Sequence, residues 1–429
     1  MPPPAAPGAD AGARDAALEA EAHRMVTAAA RGDDAGVVAD FDDRMKAALP
    51  PERVGALWNQ LLAGAGPFEG FEGTRFESKG DYRIAFVSLR CARAHMDLKV
   101  VFDGAGRVAG LFLKPARAAW SPPPYSRADA LAEQDVVVGD APALPGTLTL
   151  PKGAGPFPAV ILVHGSGPQD RDESIGGVRV FKDLAWGLAS RGVASLRYDK
   201  RTLVAPAGVV TEKEEVVDGA REALALLRRT PEVDGRRLFV VGHSQGGALA
   251  PRIAAADGHL AGVVVLAGPT RAFGAIVVDQ MTYLSMLDPG NSALAAQIED
   301  ARRFEKTIED PTLRPDQEIA SPWAGRMKGA YFLEQRAYDP GRTARALACP
   351  ILLLQGKRDY QVDGRDLDGW RRALAGRAGV TVTEYPALNH LFVSGVGKPG
   401  PAEYAETGHV FPSVVEDIAA FVAAAPAVL

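Results

Sequence analysis

Cysteine is almost absent. Cys91 and Cys349 are the only two in 429 residues, which excludes a disulfide-dense scaffold and any cysteine-rich zinc or iron–sulfur centre. A single bridge between them is compatible with the sequence, but two buried, inert thiols fit it better. No stretch approaches the run of about 18 apolar residues that a membrane span needs. Residues 1–15 lack both the basic n-region and the apolar h-region of a signal peptide, so the sequence reads as a soluble chain with no signal peptide in it. A mature exported form is equally compatible, and the compartment is left open. Charge of one sign is also lacking: 48 Lys plus Arg stand against 53 Asp plus Glu, a net of −5. No basic run interleaves with aromatics, so no nucleic-acid partner is expected. There is no internal repeat and no Walker A loop.

What is present is a hydrophobic fraction of 47%, enough for a sizeable core and, at this length, about two domains. Residues 1–15, mostly Pro, Ala and Gly, read as a disordered tail. Three short helices follow up to residue 64: Leu18, Ala22 and Met25 share a face, Asp33 or Asp34 is placed to cap, and Pro51 sits where a first helical turn accepts proline. Between Phe68 and Pro115 the pattern turns to β, with strands at 82–89, 96–102 and 108–113, so that 16–120 reads as an N-terminal α+β domain. Ser121-Pro122-Pro123-Pro124 opens a linker over 121–132.

From residue 133 to 429 short apolar runs alternate with helical patterns: 157–163, 193–197, 238–241, 262–266, 351–354 and 380–384. Such runs separated by helices predict a mostly parallel sheet covered on both faces. The runs 135–138 and 147–150 predict an antiparallel hairpin at its opening. Between about 270 and 348 the alternation breaks into helical stretches with no strong strand, an insertion placed where a lid over an active site is built.

The chemistry begins at 238–247, an apolar strand that runs into Gly242-His243-Ser244-Gln245-Gly246 and on into a helix. A turn this sharp needs small residues at 242 and 246 and leaves the serine strained and proud of the sheet, the setting of a nucleophile. The bland alternative is a glycine-rich turn with a solvated serine. A second loop, His164-Gly165-Ser166-Gly167-Pro168, follows strand 157–163. Acyl transfer needs two backbone donors on the tetrahedral oxygen, and the backbone N–H groups of Ser166 and Gln245 are the candidates. A dinucleotide-binding reading of this loop fails because Asp170 stands where the third glycine belongs.

Serine needs a histidine base, and the base needs a carboxylate to hold its tautomer. Of the seven histidines, His23 and His95 lie in the N-terminal domain, His164 and His243 are locked into the two motifs, and His259 falls in a surface turn. His390, just after the last strand, is favoured over His409. Asp359, at the end of strand 351–354, is favoured over Asp363 and Asp366, which stand at a helix start where carboxylates serve as caps. No metal site is expected.

Taken together, residues 164–173 (HGSGPQDRDE), 197–201 (RYDKR), 242–247 (GHSQGG), 355–362 (QGKRDYQV) and 389–392 (NHLF) resemble the bacterial α/β-hydrolase esterases that carry a small N-terminal domain. The likeness spans about residues 125–425, and residues 41–116 are similar to the preceding domain. It implies an α/β-hydrolase fold with an eight-stranded sheet, a Ser244, Asp359, His390 triad, and cofactor-free hydrolysis of smallish carboxylic esters through an acyl-enzyme. The chain departs from the family at Thr202-Leu203-Val204, where a glycine usually follows the DKR stretch. Thioesterase, lactonase or peptidase action would use the same triad, and a non-catalytic binding protein on a hydrolase fold is an alternative of another class. The acidic residues 170, 172 and 173 either pair with Arg197, Lys200 or Arg201 to brace the second loop or form a solvated cluster. Trp323 and Tyr331 are candidates to line an acyl pocket, and the N-terminal domain is a candidate homodimer interface.

Overall fold

The computed structural model describes residues 7–92, 95–115, 120–206, 210–321 and 325–428. The chain divides into two compact units, Met1–Ala119 and Trp120–Leu429.

In the first unit helices α1 (Pro7–Ala30), α2 (Asp34–Val37), α3 (Asp43–Ala48) and α4 (Pro51–Ala65) precede an antiparallel sheet of β1 (Phe68–Lys79), β2 (Tyr82–Cys91), β3 (His95–Phe102) and β4 (Val108–Pro115), in that spatial order. Alternate residues Ala85, Val87 and Leu89 of β2 and Leu98, Val100 and Phe102 of β3 are buried with Leu18, Ala22 and Met25 of α1. The period of two in the strands and the three-to-four spacing in the helix place these side chains on facing surfaces. Asp33 accepts from the Gly36 N–H and caps α2. Two expectations change here. The tail expected over 1–15 is helical from Pro7, because proline is tolerated in a first turn and the alanines after it are strong helix formers. Within it Asp15 holds Arg83 of β2 at 2.8 Å. Strand β1 went unseen because glycines break its alternation, and its pairing with β2 shifts register between Phe68 and Gly70 and between Phe71 and Gly73, as bulges do.

The second unit begins with β5 (Leu131–Val138), β6 (Leu144–Pro151) and β7 (Phe157–Val163), then a small ribbon of β8 (Ser174–Ile175) and β9 (Val178–Arg179). It continues through α5 (Val180–Ala189), β10 (Ala194–Tyr198), α6 (Arg201–Val204), a π-turn at Lys213–Val217, α7 (Asp218–Arg229), β11 (Val233–His243), α8 (Gln245–Asp257) and β12 (Gly262–Leu266). An insertion of α9 (Phe273–Leu287), α10 (Ser292–Ile308), β13 (Glu318–Ser321), β14 (Gly325–Lys328) and α11 (Gly329–Ala337) follows. The last elements are α12 (Pro340–Ala346), β15 (Ile351–Gly356), α13 (Gly364–Ala373), β16 (Val380–Tyr385) and α14 (Pro412–Ala424).

The eight-stranded sheet runs β16-β15-β12-β11-β7-β10-β6-β5. Only β6 runs against its neighbours, pairing antiparallel with β5 and β10. The central strands are buried on both faces, with Val160, Ile161, Leu162 and Val163 of β7 fully enclosed. Each such side chain contributes roughly 1.5–3 kcal/mol. The core is therefore two clusters, one on each face of the sheet.

The stretch expected as a linker, 121–132, is bound to this unit, as is Trp120 just before it. Trp120 Nε1 donates to buried Asp183 at 2.7 Å, the Tyr125 ring packs into one face's core, and the Arg127 N–H donates to Ser190. Proline suppresses regular structure, but the aromatics on either side of the three prolines, Trp120 and Tyr125, have apolar area to bury, and that decides their place. The insertion, expected to be helical, also contains the short β13–β14 hairpin. It has a small core of its own, built on Phe304, Ile308, Leu313, Ile319, Tyr331 and Phe332.

Candidate active site

Ser244 stands between β11 and α8 with φ 53° and ψ −119°, a backbone conformation that costs a β-carbon-bearing residue of order 1–3 kcal/mol. Two glycines make the turn possible. A Cβ on Gly242 would lie 2.1 Å from the Gly246 carbonyl, and one on Gly246 would lie 2.1 Å from the Val163 carbonyl. The strained serine is held from both sides: its N–H donates to Leu266 O at 2.9 Å and its carbonyl accepts from Ala248 N at 3.1 Å. The hydroxyl has no hydrogen-bond partner among the described residues.

Asp359 leaves β15 in a tight turn. Its Oδ1 accepts from the N–H groups of Gln361 and Val362 at 2.8 and 2.9 Å, which turns Oδ2 outward, 2.7 Å from Nδ1 of His390. Both residues are buried. His390 reaches this point because the loop after β16 crosses the end of β15 at Gly356, where a Cβ would meet Leu388 O at 2.4 Å. Asn389 ties that loop, accepting from Leu391 N and Val393 N and donating to Glu403. Glu403 also pairs with Arg358.

The imidazole of His390 lies beside His243, the residue before Ser244. Its ring centroid is 4.7 Å from that of His243, and its carbonyl accepts from His243 Nε2 at 2.9 Å. His243 is fully buried and faces Glu173 Oε2 at 3.0 Å. Burial alone would push His243 down, but the Glu173 carboxylate outweighs it and holds the imidazole above its usual value. Burial likewise opposes ionisation of Glu173, and His243 outweighs it. A buried ion pair thus stands directly behind the Asp359–His390 pair. Nothing local in the chain signals this pairing, since residues 173 and 243 lie on separate segments.

The loop of Ser166 runs against the serine: a Cβ on Gly165 would sit 3.2 Å from Ser244 Cβ. The Gly165 N–H donates to Glu173 Oε1 at 2.7 Å, and its carbonyl accepts from Lys200 Nζ at 2.8 Å. The N–H groups of Ser166 and Gln245 have no acceptor among the described residues. Gln245 N–H also opens α8, where the helix dipole favours negative charge. The Gln245 side chain is itself clamped, with Oε1 on Lys200 at 3.0 Å and Nε2 on Glu212 Oε1 at 2.9 Å and Tyr331 Oη at 2.7 Å. Burial raises Glu212, whereas the Lys200 ammonium overrides burial and lowers Glu215.

Of the open alternatives, brace and solvated cluster, the pairs are the brace, with some partners other than those expected. Arg197 takes Asp172 and Glu133, Arg171 takes Asp199, and Lys200 takes Glu215. Tyr331 donates to Glu215 Oε2 at 2.5 Å, so its hydroxyl serves this network rather than an apolar pocket. Trp323 lies outside the described residues. Thr202-Leu203-Val204 falls within α6, with Leu203 and Val204 exposed. His409 pairs with Asp183 at 3.1 Å, not with Asp359. Asp363 caps α13 through Arg365 N–H, and Asp366 holds Arg271. Both cysteines are free thiols.

The model of the Alpha/beta hydrolase family matches residues 160–423, and that of a family described as protein of unknown function (DUF3887) matches 23–111. The chain belongs to the alpha/beta hydrolase family. It is 37% identical over 380 residues to esterase EstD of Thermotoga maritima, covering 88% of each chain. Among solved structures it is similar to Est1E of Butyrivibrio proteoclasticus, at a TM-score of 0.46 and 17% identity over 67% of this chain and 99% of that one. It is similar also to an esterase of Pyrococcus furiosus, at 0.46 and 16% over 72% and 95%. Among the described residues no helix is long and apolar enough to cross a membrane.

Proposed function

We propose that this hydrolase is a serine carboxylesterase with Ser244 as nucleophile, His390 as base and acid, Asp359 as orienter of His390, and the Ser166 and Gln245 N–H groups as oxyanion donors. The observation that carries the reading is the 2.7 Å Asp359–His390 bond, beside a serine held at φ 53°. The likeness to esterase EstD over most of both chains points to the same chemistry.

His390 Nε2 takes the proton of Ser244 Oγ as Oγ bonds to the ester's acyl carbon. The carbonyl oxygen becomes an oxyanion held by the two N–H groups. The tetrahedral adduct collapses, His390 passes its proton to the departing alkoxide, and an alcohol leaves. Water, deprotonated by His390, then attacks the acyl carbon, and collapse of the second adduct returns the proton to Ser244 and frees the acid. Asp359 stays ionised throughout and stabilises the imidazolium. No step calls on a cofactor.

The test is a fluorophosphonate probe with p-nitrophenyl butyrate as substrate. Wild type takes up the probe at Ser244 and hydrolyses the ester, and Ser244→Ala does neither. An unlabelled wild type, or hydrolysis that survives Ser244→Ala, overturns the reading. Short to medium acyl chains are the proposed substrates, so a p-nitrophenyl series from acetate to dodecanoate is expected to peak at or below the octanoate. Pairing of two chains through the N-terminal unit is likewise proposed, read as the mass in solution of the full chain against that of a chain starting at Trp120.

A further inference from the structure

We infer that Lys200 is a positioning residue for the oxyanion hole, a single buried ammonium that sets the direction and the spacing of both N–H donors. The inference rests on the assignment of Ser166 and Gln245 given above.

Lys200 lies two residues past the end of β10 and is 2% exposed. Its Nζ touches three acceptors from three separate segments: Gly165 O at 2.8 Å, Gln245 Oε1 at 3.0 Å and Glu215 Oε1 at 2.9 Å. The first two contacts are hydrogen bonds and the third an ion pair, so the ammonium, with three hydrogens to place, is met on three sides. The first two acceptors belong to the two sides of the oxyanion hole. One cation therefore spans the gap across which the substrate oxygen would sit.

The first contact acts through the peptide plane. The Gly165 carbonyl and the Ser166 N–H are parts of one trans peptide, so they point in opposite directions. Holding the carbonyl on Lys200 turns the N–H away from the ammonium, and holding the Gly165 N–H on Glu173 at 2.7 Å stops the preceding plane from rotating. A carbonyl bonded to a cation also polarises its own peptide, which strengthens the N–H on the other side. The second contact fixes the Gln245 side chain, the other ends of which are tied to Glu212 and Tyr331. Tyr331 belongs to α11, so the insertion bears on the nucleophile's neighbour through this network. Glu215 neutralises the ammonium, and Tyr331 bonds its second oxygen. A guanidinium is planar and forked and cannot place three donors on these three acceptors from one atom.

A salt bridge that merely holds the fold would cost stability when removed. A brace for the oxyanion hole costs rate at the chemical step, because the donors strengthen only as charge develops on the oxygen. Full-length Lys200→Met, its charge-balanced partner Lys200→Met/Glu215→Gln, and Glu215→Gln are compared with wild type. End-point fluorophosphonate stoichiometry counts the competent sites, and kcat per labelled site and KM are read with p-nitrophenyl butyrate. The expected result is a fall of roughly 10²–10³ in kcat per labelled site for both Lys200 variants, with KM within about threefold. Lys200→Arg falls with them. Glu215→Gln loses one of the three anchors and falls by roughly tenfold, which keeps the inference testable if the Lys200 variants do not fold. Values of kcat per labelled site within about threefold of wild type, with the damage confined to melting temperature or labelled fraction, overturn it. A wild type that neither labels nor hydrolyses sinks the parent assignment as well, whereas a competent wild type with competent Lys200 variants sinks this inference alone.

Discussion

Replacing Asp359 by Asn tests the acid–base pair most sharply, because the surroundings dictate which way the new amide faces. In wild type Oδ1 accepts two backbone N–H groups, from Gln361 at 2.8 Å and Val362 at 2.9 Å. On the other side Oδ2 meets His390 Nδ1 at 2.7 Å and the Gln355 amide at 3.3 Å. An asparagine that keeps its oxygen on the two short backbone bonds loses one long one. The flipped amide would set its N–H against two N–H groups. The unflipped orientation wins, and it points an N–H at His390 Nδ1, which must then be the unprotonated nitrogen. The proton moves to Nε2, where it blocks the base. The expected loss is about 10⁴ in kcat, or about 5.4 kcal/mol of barrier at 1.36 kcal/mol per decade, with KM and melting temperature nearly unchanged. Initial rates on p-nitrophenyl butyrate beside thermal unfolding read both. An Asp359→Asn protein within tenfold of wild type, with Asp363→Asn or Asp366→Asn inactive instead, would refute the assignment and the geometric reasoning together.

His409→Ala should retain kcat and KM within about threefold and lose modest stability, since it sits on Asp183; loss of activity in the same esterase assay would return it as a candidate base. His164 is pushed down to about 4 from 6.5 by burial. The unfolded chain therefore binds more protons between those values, and stability rises with pH through that window by about 3 kcal/mol. His164→Gln should flatten this limb in urea unfolding measured from pH 4 to 7, and an unchanged limb would contradict the burial argument. The raised His243 contributes stability that is complete below its unfolded value of 6.5 and lost as pH rises through its higher folded value. In Glu173→Gln the carboxylate that counters burial is gone, so His243 is held lower than in wild type and the alkaline fall flattens. Stability also drops, by up to the roughly 3–5 kcal/mol that breaking a buried pair costs, and melting temperature falls with it. Melting curves from pH 6 to 9 separate these outcomes.

Much of this architecture is visible in the chain because its signals are local. The runs 157–163 and 262–266 are strands with those same limits, since a fully buried parallel strand must be continuously apolar. The turn around Ser244 was legible because only glycine fits where another carbonyl comes within 2.1 Å of a would-be Cβ. The fold as a whole and the kinship follow from several such stretches taken in order. Strand β1 and the first turns of α1 were hidden, the one by glycine bulges, the other by a proline that a helix start accepts.

Polar partners across the chain were another matter. That Lys200 must be neutralised if buried is a property of its charge, but its partner is Glu215 rather than an acid of the 170–173 stretch. Which carboxylate lies within 3 Å depends on where a π-turn and α11 come to rest. Glu173 found His243, and Trp120 found Asp183, for the same reason. Steric and hydrophobic preferences act over a few residues and can be read in line. The pairing of buried charges is chosen by long-range packing, which brings residues 165, 200, 215 and 245 to a single ammonium, and only the tertiary structure could make that choice.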